Sequence, residues 1–359
     1  LSSQMKETGV MVDLVKNVQT SLSTRFSMAA LPAVIGLLPM PGGALFSAPL
    51  VEECDKKKVV DSLIKTRVNY WFRHVWEFWW PLYPGVILAL SLTHVPAWKF
   101  IMLNLPMTAV GLGAGYLVTL RHVRLSASNS HSEYSKENIL RFLNELVPIL
   151  LMVFTLLFLG VSINVVCKAF GYKSKLLERS PILLGLVLSF SWVVIADNLS
   201  WENVRKILVK KSIWQLGLLV ITIMIFKSLL EHSGGVTILR DELLTYHIPI
   251  IGLIMVLPLI TGIVTGIAIG FVGTSFPVVI TLIATLNIPT EHIGSLIFIA
   301  YVFGYIGMML SPVHLCLLLT KDYFRANLGK VYLRYLIPLS LVTALPALAL
   351  FLLYTLLKF

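Results

Sequence analysis

Pro39-Met40-Pro41-Gly42-Gly43-Ala44-Leu45-Phe46-Ser47-Ala48-Pro49 interrupts an apolar run that extends from Met28 to Val51. Pro39 and Pro41 withhold backbone donors and the paired glycines favour a turn, so a single straight span is not expected. Residues 28 to 38 supply about 11 residues of helix and 44 to 52 about 9, against the ~20 that a bilayer core requires. Each arm reaches about halfway across. Irregular backbone at membrane depth persists only where protein buries it or where it lines a wet cavity. The tip, with Pro41, Gly42, Gly43 and Ser47, is therefore read as part of a site for a polar solute. The alternative is one span kinked at its prolines.

Around this stretch the chain has the composition of a membrane protein. Its 359 residues are 57% hydrophobic and 13% charged, with a mean hydropathy of +0.84, whereas soluble domains carry about 25% charged residues. The formal net charge of +11 would suggest nucleic acid in a soluble protein. Here the Lys and Arg residues stand in short links between apolar runs, which is a topology signal, and no nucleic-acid partner is expected. The expected partners are the lipid bilayer and a small-molecule or ion substrate. Cys54, Cys167 and Cys316 lie far apart with neither pairing nor metal-ligand spacing, so they read as isolated thiols and no metal site is expected. No cofactor is expected beyond H+ or Na+ as a coupling ion. The first residue is Leu1, no cleavable leader pattern follows it, and the start reads as truncated.

Residues 1 to 27 read as the tail of one span and an amphipathic surface helix. Beyond the first hairpin, Glu52 to Arg67 reads as a solvated basic link. Residues 69 to 93 form a span interrupted at Pro81 and at Pro84-Gly85, and 98 to 120 cross without interruption. Ordinary spans are expected at 138 to 161, 181 to 197 and 212 to 230. Residues 248 to 287 are long and apolar, with Pro258 and a Gly-rich centre read as the tip of a second hairpin near Gly270 to Ser275. A span at 291 to 320 is broken at Ser311-Pro312, and 331 to 357 is the last.

Sliding the chain by 228 residues places Gly42 on Gly270, Ser47 on Ser275, Pro49 on Pro277 and Pro84 on Pro312. Chance matches scattered Leu and Val more readily than the Gly, Ser and Pro residues that interrupt helices, so an internal repeat is inferred. With a three-residue gap, residues 3 to 9 also fall on 228 to 234, and the counterpart of 212 to 227 is expected upstream of Leu1. The halves are residues 1 to 121 and 212 to 359, joined by spans within 122 to 211. With the first hairpin opening to the cytoplasm, 20 of the 29 Lys and Arg residues are cytoplasmic, in accord with the positive-inside bias. The second hairpin then opens outward and the halves are inverted. The fold expected is an all-α polytopic membrane protein of two inverted-topology repeats, each with a re-entrant helical hairpin and a discontinuous transmembrane helix.

The strings GLLPMPGGALFSAP (36 to 49), NYWFRHVWEFWWPLYPG (69 to 85) and GMMLSPVHLCLLLTKDYF (307 to 324) resemble an uncharacterised integral-membrane family, the domain-of-unknown-function family 401. That family is placed in the ion transporter superfamily with gluconate permeases, citrate-metal symporters and arsenite antiporters. The resemblance covers nearly the whole chain. It implies inverted repeats whose hairpins and broken helices hold the solute together, a scaffold that often dimerises, here as a homodimer, and elevator-like movement.

Arg73, His74 and Glu77 stand in a span otherwise built of Trp, Phe, Tyr and Val, and ionisable groups inside a membrane are costly enough to mark function. Arg73 and Glu77, spaced i and i+4, can instead be a structural pair, and Arg73 can snorkel to a surface. The repeat offset places Tyr301 and Tyr305 opposite them, an asymmetry that favours substrate or proton handling, with Glu77 and His74 as the proton-coupling pair. His314 follows the Ser311-Pro312 break and reads as a hydrogen-bonding linker or a ligand. Ser47, Thr274 and Ser275 offer hydroxyls beside the tips, or bond back onto their own helices. Trp71, Trp76, Trp79 and Trp80 read as packing or interface residues. No H-E-x-x-H, G-x-S-x-G or G-x-x-x-x-G-K-[ST] is present, so no enzyme is expected, although an intramembrane hydrolase is kept as an alternative. The expected function is secondary active transport of a small organic anion across the cytoplasmic membrane. A cation/proton antiporter using Glu77 is the second reading.

Overall fold

The computed structural model of the protein describes residues 24–37, 39, 42–55, 58–123, 136–170, 175–196, 205, 209, 211–247 and 249–358. Among the described residues there are helices and turns and no strand. In chain order the helices are α1 (Thr24–Gly36), α2 (Ala44–Glu53), α3 (Ser62–Arg73), α4 (Pro84–Thr93), α5 (Ala97–Val118), α6 (Lys136–Phe170) and α7 (Lys175–Ala196). They continue with α8 (Lys211–His232), α9 (Gly235–Thr245), α10 (Ile250–Thr265), α11 (Ala268–Thr285), α12 (Thr290–Met309), α13 (Leu315–Tyr323) and α14 (Leu328–Leu356), the last containing a π-helical turn at Tyr332–Leu336. The surface helix expected before residue 24 lies outside the described residues.

Five helices are long and apolar enough to cross a bilayer: α5, the Leu150–Cys167 part of α6, α11, α12 and α14. Large apolar side chains such as Phe154, Phe158, Ile195 and Trp214 stand exposed. Water would not tolerate so much apolar surface on one chain, whereas lipid solvates it. The protein is a helical multi-pass membrane protein. Its core runs through α10 packed along α12, with α12 also against α14 and α5, α4 against α11, α1 against α3, and α2 against α3 and α13. Helices α6 and α7 pack chiefly on each other.

Both glycine-rich stretches turn the chain, at different places relative to the expected repeat. Gly42 takes φ +71° between α1 and α2, a left-handed conformation that glycine adopts without Cβ strain. In the second stretch the left-handed residue is Gly266, with φ +65°, and the turn is complete by Ile267. The expected tip at Gly270 to Ser275 is thus displaced by about one helical turn: Gly270, Thr274 and Ser275 lie inside α11. Gly262 and Gly270 have close neighbours of their own, so glycine content alone did not mark the turning residue.

Two further expectations are corrected. Helix α6 runs to Phe170, well past the expected end at 161. The link from Glu52 to Arg67 is not simply solvated, because Asp55, Lys65, Thr66 and Arg67 are buried. Asp55 bonds Lys65 Nζ at 2.8 Å and accepts from the amides of Val59 and Val60, both at 2.9 Å. Burial by itself would raise the Asp55 carboxyl, but the Lys65 bond and the two amides outweigh it and hold the group below its usual range. Arg67 lies over the Tyr335 ring with Cζ 3.2 Å from the centroid.

Candidate functional site

The site grows from two helix breaks. Helix α3 ends at Arg73, and residues 74 to 83 run as successive turns before α4 starts at Pro84. Proline suits that first helical position because its missing donor would have had no intrahelical acceptor. The break begins well before Pro81, so Arg73 and Glu77 are not two positions on one helical face, as the i, i+4 spacing had suggested. The second break runs from Leu310 to His314, between α12 and α13, and contains Ser311 and Pro312.

Breaking a helix frees carbonyls, and buried carbonyls need donors. At the first break the Tyr301 hydroxyl donates to the Glu77 carbonyl at 3.0 Å, and the Tyr305 hydroxyl to the His74 carbonyl at 3.1 Å. At the second, the Tyr70 hydroxyl donates to Met309 O at 3.0 Å and that of Tyr332 to Leu310 O at 2.9 Å. Tyrosines of α3 and α12 therefore cap each other's breaks. The tryptophans do the same for the end of α1: Trp76 donates to Ala33 O and Trp80 to Leu37 O, both at 2.8 Å, and Tyr83 to Gly36 O at 2.5 Å. Trp71 and Trp79 bond Gly111 O and Thr108 Oγ1 of α5. The aromatic cluster is a packed set of donors.

These bonds bring the two turns and the two breaks together. A Cβ on Gly43 would collide with the Arg73 guanidinium, and one on Gly36 with the Arg73 carbonyl. A Cβ on Gly266 would fall 2.8 Å from Ser311 Oγ and 3.0 Å from His314 N, and one on Gly85 2.5 Å from Ala268 Cβ. The Ser311 hydroxyl donates to Ile263 O of α10 at 2.6 Å. The first turn thus meets the start of the first break. The second turn meets the second break and the end of the first.

At the junction lies one buried polar cluster. Arg73, His74, Glu77 and His314 are between 1% and 8% exposed. His74 Nε2 is 3.2 Å from His314 Nε2 and 3.8 Å from Glu77 Oε1. The Arg73 guanidinium lies near Cys316 and the Tyr83 side chain near Glu77, and the Tyr83 hydroxyl donates to Gly36 O. Cys316, read as an isolated thiol, belongs to this group: its sulfur and one ring nitrogen each of His74 and His314 lie within 4.8 Å of one another. Asn69 completes the packing, donating to Ala44 O at 3.2 Å and to Thr320 Oγ1 at 3.0 Å, and so ties α3 to α2 and α13.

Of the residues singled out in the sequence, Gly43, Arg73, His74, Glu77 and His314 come together, with Gly42 adjacent and Ser311 and Gly85 in the surrounding contacts. Ser47 bonds back to Gly43 O and Ala44 O, Thr274 to Gly270 O at 2.8 Å and Ser275 to Phe271 O at 2.5 Å. Thr274 is exposed, and Pro312 breaks the helix from an exposed position. Pro84 starts α4, and Pro41 lies outside the described residues. Cys316, Asn69, Tyr70, Tyr301 and Tyr305 were missed in their present roles. The one sequence signal for Cys316 was its place two residues after His314, just beyond a helix break.

The chain belongs to the family described as a protein of unknown function (DUF401), which matches residues 1–353. No curated protein matches it.

Proposed function

We propose that this member of the family is a secondary active transporter that moves a small organic anion across the cytoplasmic membrane, driven by an H+ or Na+ gradient. One observation carries the reading: the Arg73 guanidinium packs against Gly43, the N-cap residue of α2, in the buried interior. A helix N-terminus carries partial positive charge, so two positive groups are held together where water is scarce, and an anion is the ligand that both attract. The planar guanidinium fork suits a carboxylate in particular.

The order of elements supports a repeat. A helix pair, a helix, a break, a short helix and a long helix run from α1 to α5 and again from α10 to α14, and the helices before the breaks start at Ser62 and Thr290, 228 residues apart. In the proposed architecture these series are inverted repeats. The helix pairs enter the membrane from opposite faces as re-entrant hairpins, and the body carrying the turns and breaks moves as an elevator. Arg73 and the turn at Gly43 hold the solute. The second reading, a cation/proton antiporter, draws on Glu77, whose buried carboxylate lies in the same break.

Uptake into proteoliposomes under imposed pH and Na+ gradients, with a panel of carboxylates and monovalent cations, separates the two. Carboxylate uptake driven by a gradient supports the first reading and cation flux coupled to protons the second. Absence of gradient-dependent flux of any solute refutes both.

A further inference from the structure

The cluster at the two breaks contains a conflict between lone pairs. His74 Nδ1 is 2.6 Å from the Tyr70 carbonyl oxygen, and His314 Nδ1 is 3.3 Å from that of Met308. A carbonyl oxygen only accepts, so each Nδ1 carries its ring hydrogen, and each Nε2 of a neutral imidazole is left with a lone pair. Those two Nε2 atoms face each other at 3.2 Å. Moving the His314 hydrogen to Nε2 relieves that contact only by setting a lone pair on Nδ1 against Met308 O. The neutral pair is one cation short.

We propose that His74 Nε2, His314 Nε2 and Cys316 Sγ form a binding site for a Zn2+-class transition-metal ion, which fastens the break after α3 to the break after α12. Two Zn–N bonds of about 2.0–2.1 Å at a tetrahedral angle hold their nitrogens roughly 3.3 Å apart. The observed 3.2 Å already matches. The three ligand atoms lie within 4.8 Å of one another and supply three of the four tetrahedral positions, with Glu77 Oε1 3.8 Å from His74 Nε2 but outside that trio. Two imidazoles and a thiolate suit Zn2+ and exclude the oxygen-seeking Mg2+ and Ca2+.

The surroundings are those that metal-bound histidines keep. Such a histidine donates its other ring hydrogen to a carbonyl or carboxylate, which fixes the ring and its tautomer, and here both acceptors are backbone carbonyls. The Tyr70 ring stands edge-on to both imidazoles, with centroids 5.0 and 5.2 Å away, and walls the site with apolar surface. The thiolate and the nearby Glu77 carboxylate together balance a divalent ion. The inference stands apart from the transport reading, because it concerns what joins the breaks rather than what crosses the membrane.

The test uses the purified full chain in detergent, stripped with EDTA and titrated with Zn2+ against a competing chelator, and separately with Co2+. The expected result is one ion per chain and a thiolate-to-cobalt charge-transfer band. C316S is expected to abolish the band, and C316S and H314A each to weaken Zn2+ binding by about 100-fold or more, beyond the 10–100-fold typical of losing an outer partner. Alkylation of the unaltered protein, mapped by mass, tests the same site without a substitution. Zn2+ should protect the partly exposed Cys316 and leave Cys167 labelling unchanged, while Cys54, whose thiol burial pushes up to about 12, should label slowly throughout. Failure to bind Zn2+ or Co2+, or stoichiometric binding that leaves Cys316 labelling unaltered, overturns the proposal. The first of these outcomes leaves a shared proton as the cation between the rings.

Discussion

Replacing Tyr301 or Tyr305 with Phe removes one hydroxyl from the first break, and the two losses should differ. The Glu77 carbonyl receives the Tyr301 hydroxyl at 3.0 Å, and no described backbone amide reaches it. The His74 carbonyl receives the Tyr305 hydroxyl and also the Glu77 amide at 3.1 Å. Tyr301→Phe therefore strands a buried acceptor, whereas Tyr305→Phe leaves one bond in place. An orphaned buried acceptor costs about 1–3 kcal/mol, and interhelical hydrogen bonds in membranes average about 0.6 kcal/mol with a maximum near 1.7. Tyr301→Phe should thus cost about 1–2 kcal/mol and Tyr305→Phe about 0.5. Packing is not the cause, since a phenyl ring keeps the edge-on contacts of Tyr301 with Phe100 and Phe271, at centroid distances of 5.1 and 5.5 Å. Reversible unfolding in mixed micelles measures both, with Tyr246→Phe, 73% exposed, as the neutral control. Equal effects, the reverse order, or a Tyr301→Phe protein as stable as the parent would refute the capping argument.

Three other outcomes follow from the same geometry. Gly266→Ala forces a Cβ into a left-handed conformation, costing about 1–2 kcal/mol, and places it 2.8 Å from Ser311 Oγ; thermal unfolding should show a clear loss, while Gly113→Ala, with nothing within 4 Å, should be neutral or slightly stabilising. Asp55→Ala breaks a buried ion pair and should cost about 3–5 kcal/mol. Because the Asp55 carboxyl is held below its ordinary value of 3.8, its contribution is complete above that value and disappears as the pH falls through the lower folded value; Asp55→Asn should flatten the acid limb of the stability profile, and an unchanged limb would count against it. Arg73→Lys keeps the charge and loses the planar fork, so KM for a transported carboxylate should rise roughly tenfold, about 1.4 kcal/mol, with little change in maximal rate; an unchanged KM would remove Arg73 from the anion site.

The first turn was legible because Pro39 fixes its own φ and the adjacent glycines admit the positive φ that Gly42 adopts and other residues resist. The second was legible in kind but not in position, since Gly262, Gly266, Gly270 and Gly273 compete and residue type does not say which takes positive φ. Gly262 is needed where α10 meets the Gly304 and Met308 backbone, and Gly270 lies beside Thr265. Proline marked the end of the first break at Pro84. The start at His74 carried no such mark, because it depends on tyrosine hydroxyls more than 220 residues away in sequence. Lys65 and Arg67 looked solvated for the same reason: their partners, Asp55 and the Tyr335 ring, are supplied by folding. Cys316 joined the histidines only once the two breaks were packed together.

On the proposed repeat, those distant tyrosines also account for the asymmetry between the two halves. At the 228-residue offset, Tyr301 stands opposite Arg73 and Tyr305 opposite Glu77, so the charged residues of one half have hydroxyl-bearing counterparts in the other. The counterparts donate to the backbone of Glu77 and His74 across the junction. Charges at both sets of positions would add ionised groups to the same buried junction, where desolvation is costly. Neutral hydroxyls at one set instead cap the break that the charges occupy. The second half holds the first break open with tyrosine donors and contributes His314 and Cys316 to the cluster, while the first half supplies Arg73 and Glu77. If the two series are repeats as proposed, the site gains its shape from their likeness and its chemistry from their difference.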